Sequence, residues 1–424
     1  MKAVALIDGE HYAQVVREAL AVLPYEFVGA HLAGGTEKLR GGEDYGVPLL
    51  DDFEEAIREL EPEVIVDLSD EPVLGPRERF RYASLALAQG VPYVGPDFRF
   101  DPPLLEPFEL PSIGIVGTGK RVGKTAVTGH AARLLSRDRR VLVVAMGRGG
   151  PPKPELAEPG TPLARLLELS RDGRHAASDY LEDAALAGVE TIGCRRCGGG
   201  LAGTTMVDNV AEGARMAAER GADLVLFEGS GAALPPVATG RRVLVADAST
   251  EPELLAGYLN TYRILVSDLV VFSNAEAGSP RDLREAVAGV KDVPVVAAVL
   301  RPRPAGPVAG RSVALFTTAQ PSCHERLADH LRTEHGADVV HVSGNLARRD
   351  ALREELAHIE AETYLIEIKA AAIDVVAEAA EQRGIECVFV DNELRPIEGE
   401  SEPDLDAELL ALAEAAAAEP VATP

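Results

Sequence analysis

Residues 113–125 read Ile-Gly-Ile-Val-Gly-Thr-Gly-Lys-Arg-Val-Gly-Lys-Thr. An apolar strand pattern runs into a glycine-rich loop and then into an amphipathic segment, the setting in which backbone N–H groups, a helix N-terminus, a lysine ammonium and a hydroxyl converge on nucleotide phosphates. Gly117, Thr118, Gly119, Lys120, Arg121, Val122, Gly123, Lys124 and Thr125 are the expected cradle. Thr118 stands five residues before Gly123 and the glycine before it is Gly117, so the loop is one residue longer than the common form. ATP and Mg2+ are the cofactors this chemistry calls for.

A later apolar run ends in Glu228-Gly229-Ser230-Gly231. A carboxylate there can face Thr125 across a sheet and complete a magnesium site with the phosphates. Cationic residues recur in glycine- and proline-rich surroundings: Arg148 and Lys153 in Gly147–Pro154, and Arg195 and Arg196 before Gly198-Gly199-Gly200. They suit phosphate oxygens, by bidentate contacts from arginine and point-charge contacts from lysine. The two adjacent arginines read as a flexible anion clamp. Cys194 and Cys197 form a lone Cys-x-x-Cys with no second pair nearby, a weak pattern for zinc or for redox chemistry.

The elements that must position these groups alternate in type. Residues 1–108 read as an N-terminal α/β domain, with strands at 3–7, 27–32 and 64–67 and helices at 12–23, 52–60 and 77–89. No Gly-x-Gly-x-x-Gly follows its first strand, which continues Asp8-Gly9-Glu10-His11. Prolines 96, 102, 103, 107 and 111 mark a linker. Residues 109–308 read as a doubly wound parallel sheet with ligands at the carboxyl ends of its strands. A Pro/Gly cluster at 302–310 ends it. A smaller α/β unit spans 309–397, and an acidic, alanine-rich tail, expected as a surface helix with a loose end, spans 398–424.

Composition narrows the partners. A formal net charge of −26 excludes the basic footprint that nucleic acid or an anionic membrane requires. Residues 101–250 carry 18 basic and 18 acidic residues, so the excess sits in the flanks and leaves a neutral centre suited to phosphates. No apolar run approaches the roughly 18 residues of a membrane span, and the amino terminus opens on a strand pattern without a signal-peptide layout. Four scattered cysteines give no disulfide framework. A reduced, cytoplasmic enzyme is expected, acting on a small phosphorylated molecule; a homodimer is compatible with this reading.

Gly-Thr-x-x-x-Val-Gly-Lys-Thr followed by Glu-Gly-x-Gly resembles the dethiobiotin synthetase branch of P-loop enzymes. Taken with Met-Gly-Arg-Gly-Gly-Pro-Pro, Ala-Ser-Asp-Tyr, Gly-Cys-Arg-Arg-Cys-Gly-Gly-Gly, Glu367-Ile-Lys369 and Val390-Asp391-Asn392, the motifs resemble the cyclic 2,3-diphosphoglycerate synthetase family over most of the chain. The resemblance implies ATP-driven closure of 2,3-diphosphoglycerate to an intramolecular pyrophosphate, with release of ADP and phosphate. For that chemistry the residues expected in catalysis are Lys124, Lys120, Arg121 and Arg148. Substrate contacts fall to Arg148, Lys153, His175, Asp179, Arg195, Arg196, Ser230 and Lys369, and metal contacts to Thr125, Glu228 and Asp179. Asn274 is placed to read the adenine edge. One departure stands out: the strand ending at Met146 offers no carboxylate where dethiobiotin synthetase places an aspartate. Two rivals remain open at this level, a ligase of the dethiobiotin or cobyrinic acid type acting on carboxylates, and a nucleotide-driven switch or metallochaperone.

Overall fold

The computed structural model describes residues 1–71, 73–172, 178–368, 373–397 and 403–419 of the 424-residue chain. His175, Lys369 and the two ends of the acidic tail lie outside them. Two compact units emerge, one comprising Met1–Leu104, Thr250–Ser267 and Arg281–Val293, the other comprising the rest.

The first unit is built on β1 (Lys2–Ile7), β2 (Glu26–Leu32), β3 (Leu49–Leu50), β4 (Val64–Asp67), β5 (Tyr93–Val94) and β6 (Arg99–Phe100), in the order β3-β2-β1-β4-β5-β6. All pairs are parallel except β5 with β6. Ala3 to Ile7 are all fully buried, as expected of a strand covered on both faces by helices.

The second unit carries β7 (Ser112–Gly117), β8 (Val141–Gly147), β9 (Glu155–Ala157), β10 (Glu190–Cys197), β11 (Val207–Asp208), β12 (Leu224–Glu228), β13 (Arg241–Asp247), β14 (Leu269–Ser273), β15 (Val295–Pro304), β16 (Ser312–Phe316), β17 (Asp338–Ser343), β18 (Thr363–Glu367) and β19 (Glu386–Pro396). Among the described residues they form one sheet, ordered β11-β10-β8-β12-β7-β13-β14-β15-β19-β18-β16-β17, with β9 beside β10. Strand alternation divides its side chains between two faces. Ile113, Ile115, Val143 and Leu226 pack beneath the helices Lys124–Leu135 and Asp179–Leu186. Leu142, Val144, Val225 and Phe227 pack with the helix Val210–Glu219 on the other face. The central domain is thus a doubly wound parallel sheet of the P-loop type, flanked by N- and C-terminal α/β segments.

The sheet runs on through the Pro/Gly cluster near residue 308. The first part of β15 pairs parallel with β14, from Val295 to Ala297, and the rest pairs antiparallel with β19, from Ala298 to Pro304. Pro302 and Pro304 therefore lie inside a strand. Beyond Ala297 that strand has, among the described residues, a ladder neighbour on one side only, and prolines two residues apart direct their missing N–H groups the same way.

The tail differs from expectation. Leu405–Ala418 is a helix, but it is packed into the fold, with Leu409 and Ala413 fully buried and Leu405, Leu412 and Ala416 nearly so. Alanine lets the backbones approach closely: a Cβ placed on Gly240 would lie 3.4 Å from Ala416 Cβ.

Candidate functional site

The loop between β7 and the helix Lys124–Leu135 folds as its glycines allow. Gly123 has φ +88° and Arg121, at the apex, φ +65°, both left-handed. A Cβ on Gly117 would stand 2.9 Å from Lys124 Nζ and from a Val122 methyl, so side-chain atoms here would displace the lysine. The loop is braced from behind: Ser273 Oγ donates to Val122 O at 2.9 Å, and Thr118 N–H donates to Val245 O at 3.1 Å. Lys124 Nζ donates to Gly119 O at 2.8 Å, curling over the cradle. Burial holds its ammonium below the usual lysine range, against the pull of Glu228 and Asp179.

β12 lies between β7 and β8, which brings Glu228 to the loop. Thr125 Oγ1 donates to Glu228 Oε1 at 2.8 Å, and the glutamate is 1 % exposed. Both line a cavity of about 250 Å³, together with Lys120, Arg121, Lys124, Arg148, Asp179 and Ser230. Hard oxygen donors beside a phosphate cradle fit Mg2+ in the manner it prefers, one or two carboxylates completed by substrate phosphates. Among the described residues no group of three or more His, Cys, Asp or Glu side chains forms a cage of its own.

Two carboxylates here escaped the sequence reading. Glu182 lines the cavity, and Asp183 is buried behind it at 2 % exposure. Both sit on the helix that opens with Asp179, and spacings of three and four residues place all three on one face. That spacing was the available signal. Burial pushes the Asp183 carboxyl well above the usual range, and the charges of Glu228, Glu182 and Asp179 push it the same way.

The cations divide. Arg148 leaves β8 at the cavity rim, and Arg196 Nη2 donates to Ser230 O at 2.7 Å. Gly231, at φ +62°, makes room for both: a Cβ there would stand 2.9 Å from Arg148 Nη2 and 3.3 Å from Arg196 Nη2. Burial, and then the like charge of Arg148, hold the Arg196 guanidinium below its usual range. Its Nε is buried without a hydrogen-bond partner among the described residues. Arg195 and Lys153 are exposed and do not line the cavity. Arg195 and Arg196 lie within β10, so the expected flexible clamp is a strand that sends adjacent arginines to opposite faces. The same alternation separates Cys194, buried in the core with its thiol pushed up to about 12 by burial, from exposed Cys197. A shared metal or a disulfide does not fit that arrangement.

A second cavity of about 440 Å³ adjoins the first, and Arg121, Gly123 and Thr318 line both. Asn274 lines it from the left-handed region at φ +52°, its Nδ2 donating to Asp247 Oδ2 at 2.6 Å. Thr317, Gln320, Glu367 and Asn392 close it from the C-terminal segment. Glu367 and Asn392 belong to the two C-terminal motifs noted in the sequence, whereas Thr317 and Gln320 belong to none of them.

Comparison with known proteins agrees along the whole chain. The P-loop domain of cyclic 2,3-diphosphoglycerate synthetase matches residues 112–301, its C-terminal domain residues 304–393 and its N-terminal domain residues 2–101. The cyclic 2,3-diphosphoglycerate synthetase of Rubrobacter xylanophilus is 50 % identical, with 98 % of each chain covered. Those of Thermococcus kodakarensis, at 43 % identity with 93 % of this chain and 95 % of the relative covered, and of Methanothermus fervidus, at 37 % with 92 % of each, are similar throughout. Among solved structures, LpxK from Aquifex aeolicus in complex with ATP aligns over 73 % of this chain and 90 % of its own, at 12 % identity and a TM-score of 0.41.

Proposed function

The chain belongs to the cyclic 2,3-diphosphoglycerate synthetase family and is an enzyme of that ligase type; from this premise we propose that it uses ATP to close 2,3-diphosphoglycerate into its cyclic pyrophosphate, releasing ADP and phosphate. One substrate phosphate takes the γ-phosphoryl group of ATP. The other attacks the phosphorus of the phosphate so activated, forming the ring P–O–P bond as inorganic phosphate leaves. A phosphate monoester is a poor electrophile, which is what the first transfer remedies.

The carrying observation is the pair Arg148 and Arg196, side by side over Gly231, with Arg148 lining the cavity that holds Lys124 and Arg196 bonded to the backbone of Ser230 in its wall. Two phosphates brought into contact repel by several kcal/mol at an effective dielectric of about 20. Two adjacent guanidiniums, mutually repulsive in an empty site, offset that repulsion on binding. In this reading Lys124 holds the terminal phosphates of ATP, and Lys120 and Arg121 accompany the phosphoryl group in flight. Arg148 and Arg196 clamp the glycerate phosphates beside Ser230. Lys153 and Arg195 act from the periphery as exposed charge that draws the anionic substrate in. Thr125 and Glu228, with Asp179, would hold Mg2+, which when bound neutralises charge on the phosphates. The reaction would run in the cytoplasm on a small phosphorylated molecule. A carboxylate ligase leaves the arginine pair unexplained, and a metallochaperone finds no support in cysteines on opposite faces of β10.

Phosphorus NMR of the purified protein with ATP, Mg2+ and 2,3-diphosphoglycerate tests this beside a sample without the glycerate. New pyrophosphate-type resonances with stoichiometric ADP and phosphate are expected. ATP left intact, or consumed equally without the glycerate, refutes the reading.

A further inference from the structure

About half of the residues lining the second cavity lie outside the P-loop domain, in the C-terminal segment. Glu367, at the end of β18, is 6 % exposed, and Asn392, on β19, is 9 % exposed. Asn392 Nδ2 donates to Glu367 Oε1 at 3.2 Å, and the Thr318 backbone N–H donates to Glu367 Oε2 at 3.0 Å. A carboxylate has about four acceptor sites, so two bonds leave room for two more donors on a side chain that faces the cavity. Burying that charge is costly unless donors meet it.

The electrostatics indicate what kind of donor. Arg301 is ion-paired with Glu276, which also lies 3.8 Å from Arg326 Nη1, so these two cations already face a carboxylate, while Arg121 stands at the boundary shared with the phosphate cavity. Asp247, Glu276 and Glu367 line the same space. A phosphorylated glycerate would be repelled there, whereas neutral hydroxyl and amine groups would be accepted. The volume of about 440 Å³ suits a nucleoside-sized group. Thr318, whose N–H Glu367 holds, is also one of three residues shared with the phosphate cavity. Glu367 therefore stands one residue from the phosphate site, and the part of a nucleotide next to its phosphates is the sugar.

We propose that the C-terminal segment supplies the sugar-binding wall of the nucleotide site, with Glu367, oriented by Asn392, accepting hydrogen bonds from the ribose hydroxyls of ATP. This rests on the ATP reading above and extends it from the phosphates to the nucleoside. It also makes the C-terminal segment part of nucleotide recognition.

Cys323 lines this cavity, whereas Cys197 is exposed and lines neither cavity, which provides a reporter and its control in the unaltered protein. N-ethylmaleimide labelling followed by mass spectrometry should show Cys323 protected several-fold by ATP with Mg2+ and Cys197 unaffected. Calorimetry with ATP and 2′,3′-dideoxy-ATP completes the test. The unaltered protein should bind the dideoxy compound roughly ten- to a hundredfold more weakly. Glu367→Gln should bind ATP about that much more weakly and discriminate little between the two. The inference is overturned if ATP binds while Cys323 labels at an undiminished rate, if 2,3-diphosphoglycerate and not ATP protects Cys323, or if Glu367→Gln weakens both nucleotides by one factor. ATP that does not bind the unaltered protein at all refutes the ATP reading itself.

Discussion

The carboxyl ends of the two parallel sheets are built from similar residues and reach opposite states. In the N-terminal unit, Asp8 is fully buried at the end of β1, where Oδ1 accepts the Glu10 N–H at 3.0 Å and lies 2.8 Å from His11 Nδ1, and Oδ2 accepts the Asp70 N–H at 2.6 Å. Asp67, ending β4, takes the Ser69 N–H and hydroxyl on one oxygen and Arg79 Nε and the Tyr93 hydroxyl on the other. Each carboxylate meets its donors within its own unit. In the central sheet like charges are massed: Arg148 beside Arg196, and Asp183 among Glu182, Glu228 and Asp179. A folded chain tolerates such crowding where a ligand relieves it. Position at the end of a parallel strand is common to both sheets; the unbalanced charge belongs to one.

The largest effect expected from this contrast is at Lys124. Its ammonium is buried and turned onto the Gly119 carbonyl, so it is set for an anion that the rest of the loop also addresses. Lys124→Ala should lower kcat by ~10²–10³ or more, the scale of losing a charge stabiliser that acts on the transferring group. The nucleotide-free variant should keep its melting temperature, because a lysine that burial holds below its usual range costs the empty protein stability. ADP release and a thermal melt measure the two quantities. Turnover near that of the unaltered enzyme would mean the central sheet end is as closed as the N-terminal one.

Much of this site is legible in the sequence because its carriers are local. The cradle from Gly117 to Thr125 follows an uninterrupted apolar strand, and Glu228 ends another. What escapes is what depends on neighbours. Arg195 and Arg196 before three glycines read as a flexible clamp, yet they lie in β10, whose first half is buried and whose second half is largely exposed. The Ala- and Glu-rich tail shows little amphipathic contrast, and its burial is decided by the small residues that Ala413 and Ala416 present to the sheet. Asn274 and the motifs that hold Glu367 and Asn392 stand out in the sequence, but their convergence with Asp247 on one cavity does not, since they are far apart in the chain and joined only when β15 hands the sheet over to β19.

A smaller effect sharpens the contrast within one strand. Neither arginine lines the cavity itself, but Arg196 bonds the Ser230 carbonyl in its wall, whereas Arg195 points to the opposite face of the strand. Arg196→Ala should raise KM for the glycerate about ten- to a hundredfold, about 1.5–3 kcal/mol for a lost charged hydrogen bond. Arg195→Ala should change it about twofold or less, as a screened exposed charge does. Steady-state kinetics on both variants measure this. Equal effects would return the two residues to a flexible clamp and remove the significance of strand alternation.

The smallest effects are in stability, and they should differ in sign between the two sheets. Asp67 is met by Arg79, Tyr93 and Ser69, so Asp67→Asn removes charged hydrogen bonds and should lower the melting temperature at pH 7 by about 2 °C or more, with KM for ATP unchanged. Asp183 is crowded by carboxylates and its folded-state pKa is raised, so the folded protein holds a proton that the unfolded chain releases above its ordinary value near 3.8. Stability attached to that proton is complete below this value and is lost as pH rises towards the folded-state pKa. Asp183→Asn mimics the protonated form at every pH. In metal-free, nucleotide-free protein it should raise the melting temperature at pH 7, and the gain should shrink to nothing as pH falls towards 4. Melts at several pH values follow the difference directly. A variant that is less stable at pH 7, by as much as Asp67→Asn, would show that Asp183 is as well met by donors as the aspartates of the N-terminal sheet, and that charge crowding does not distinguish the two ends.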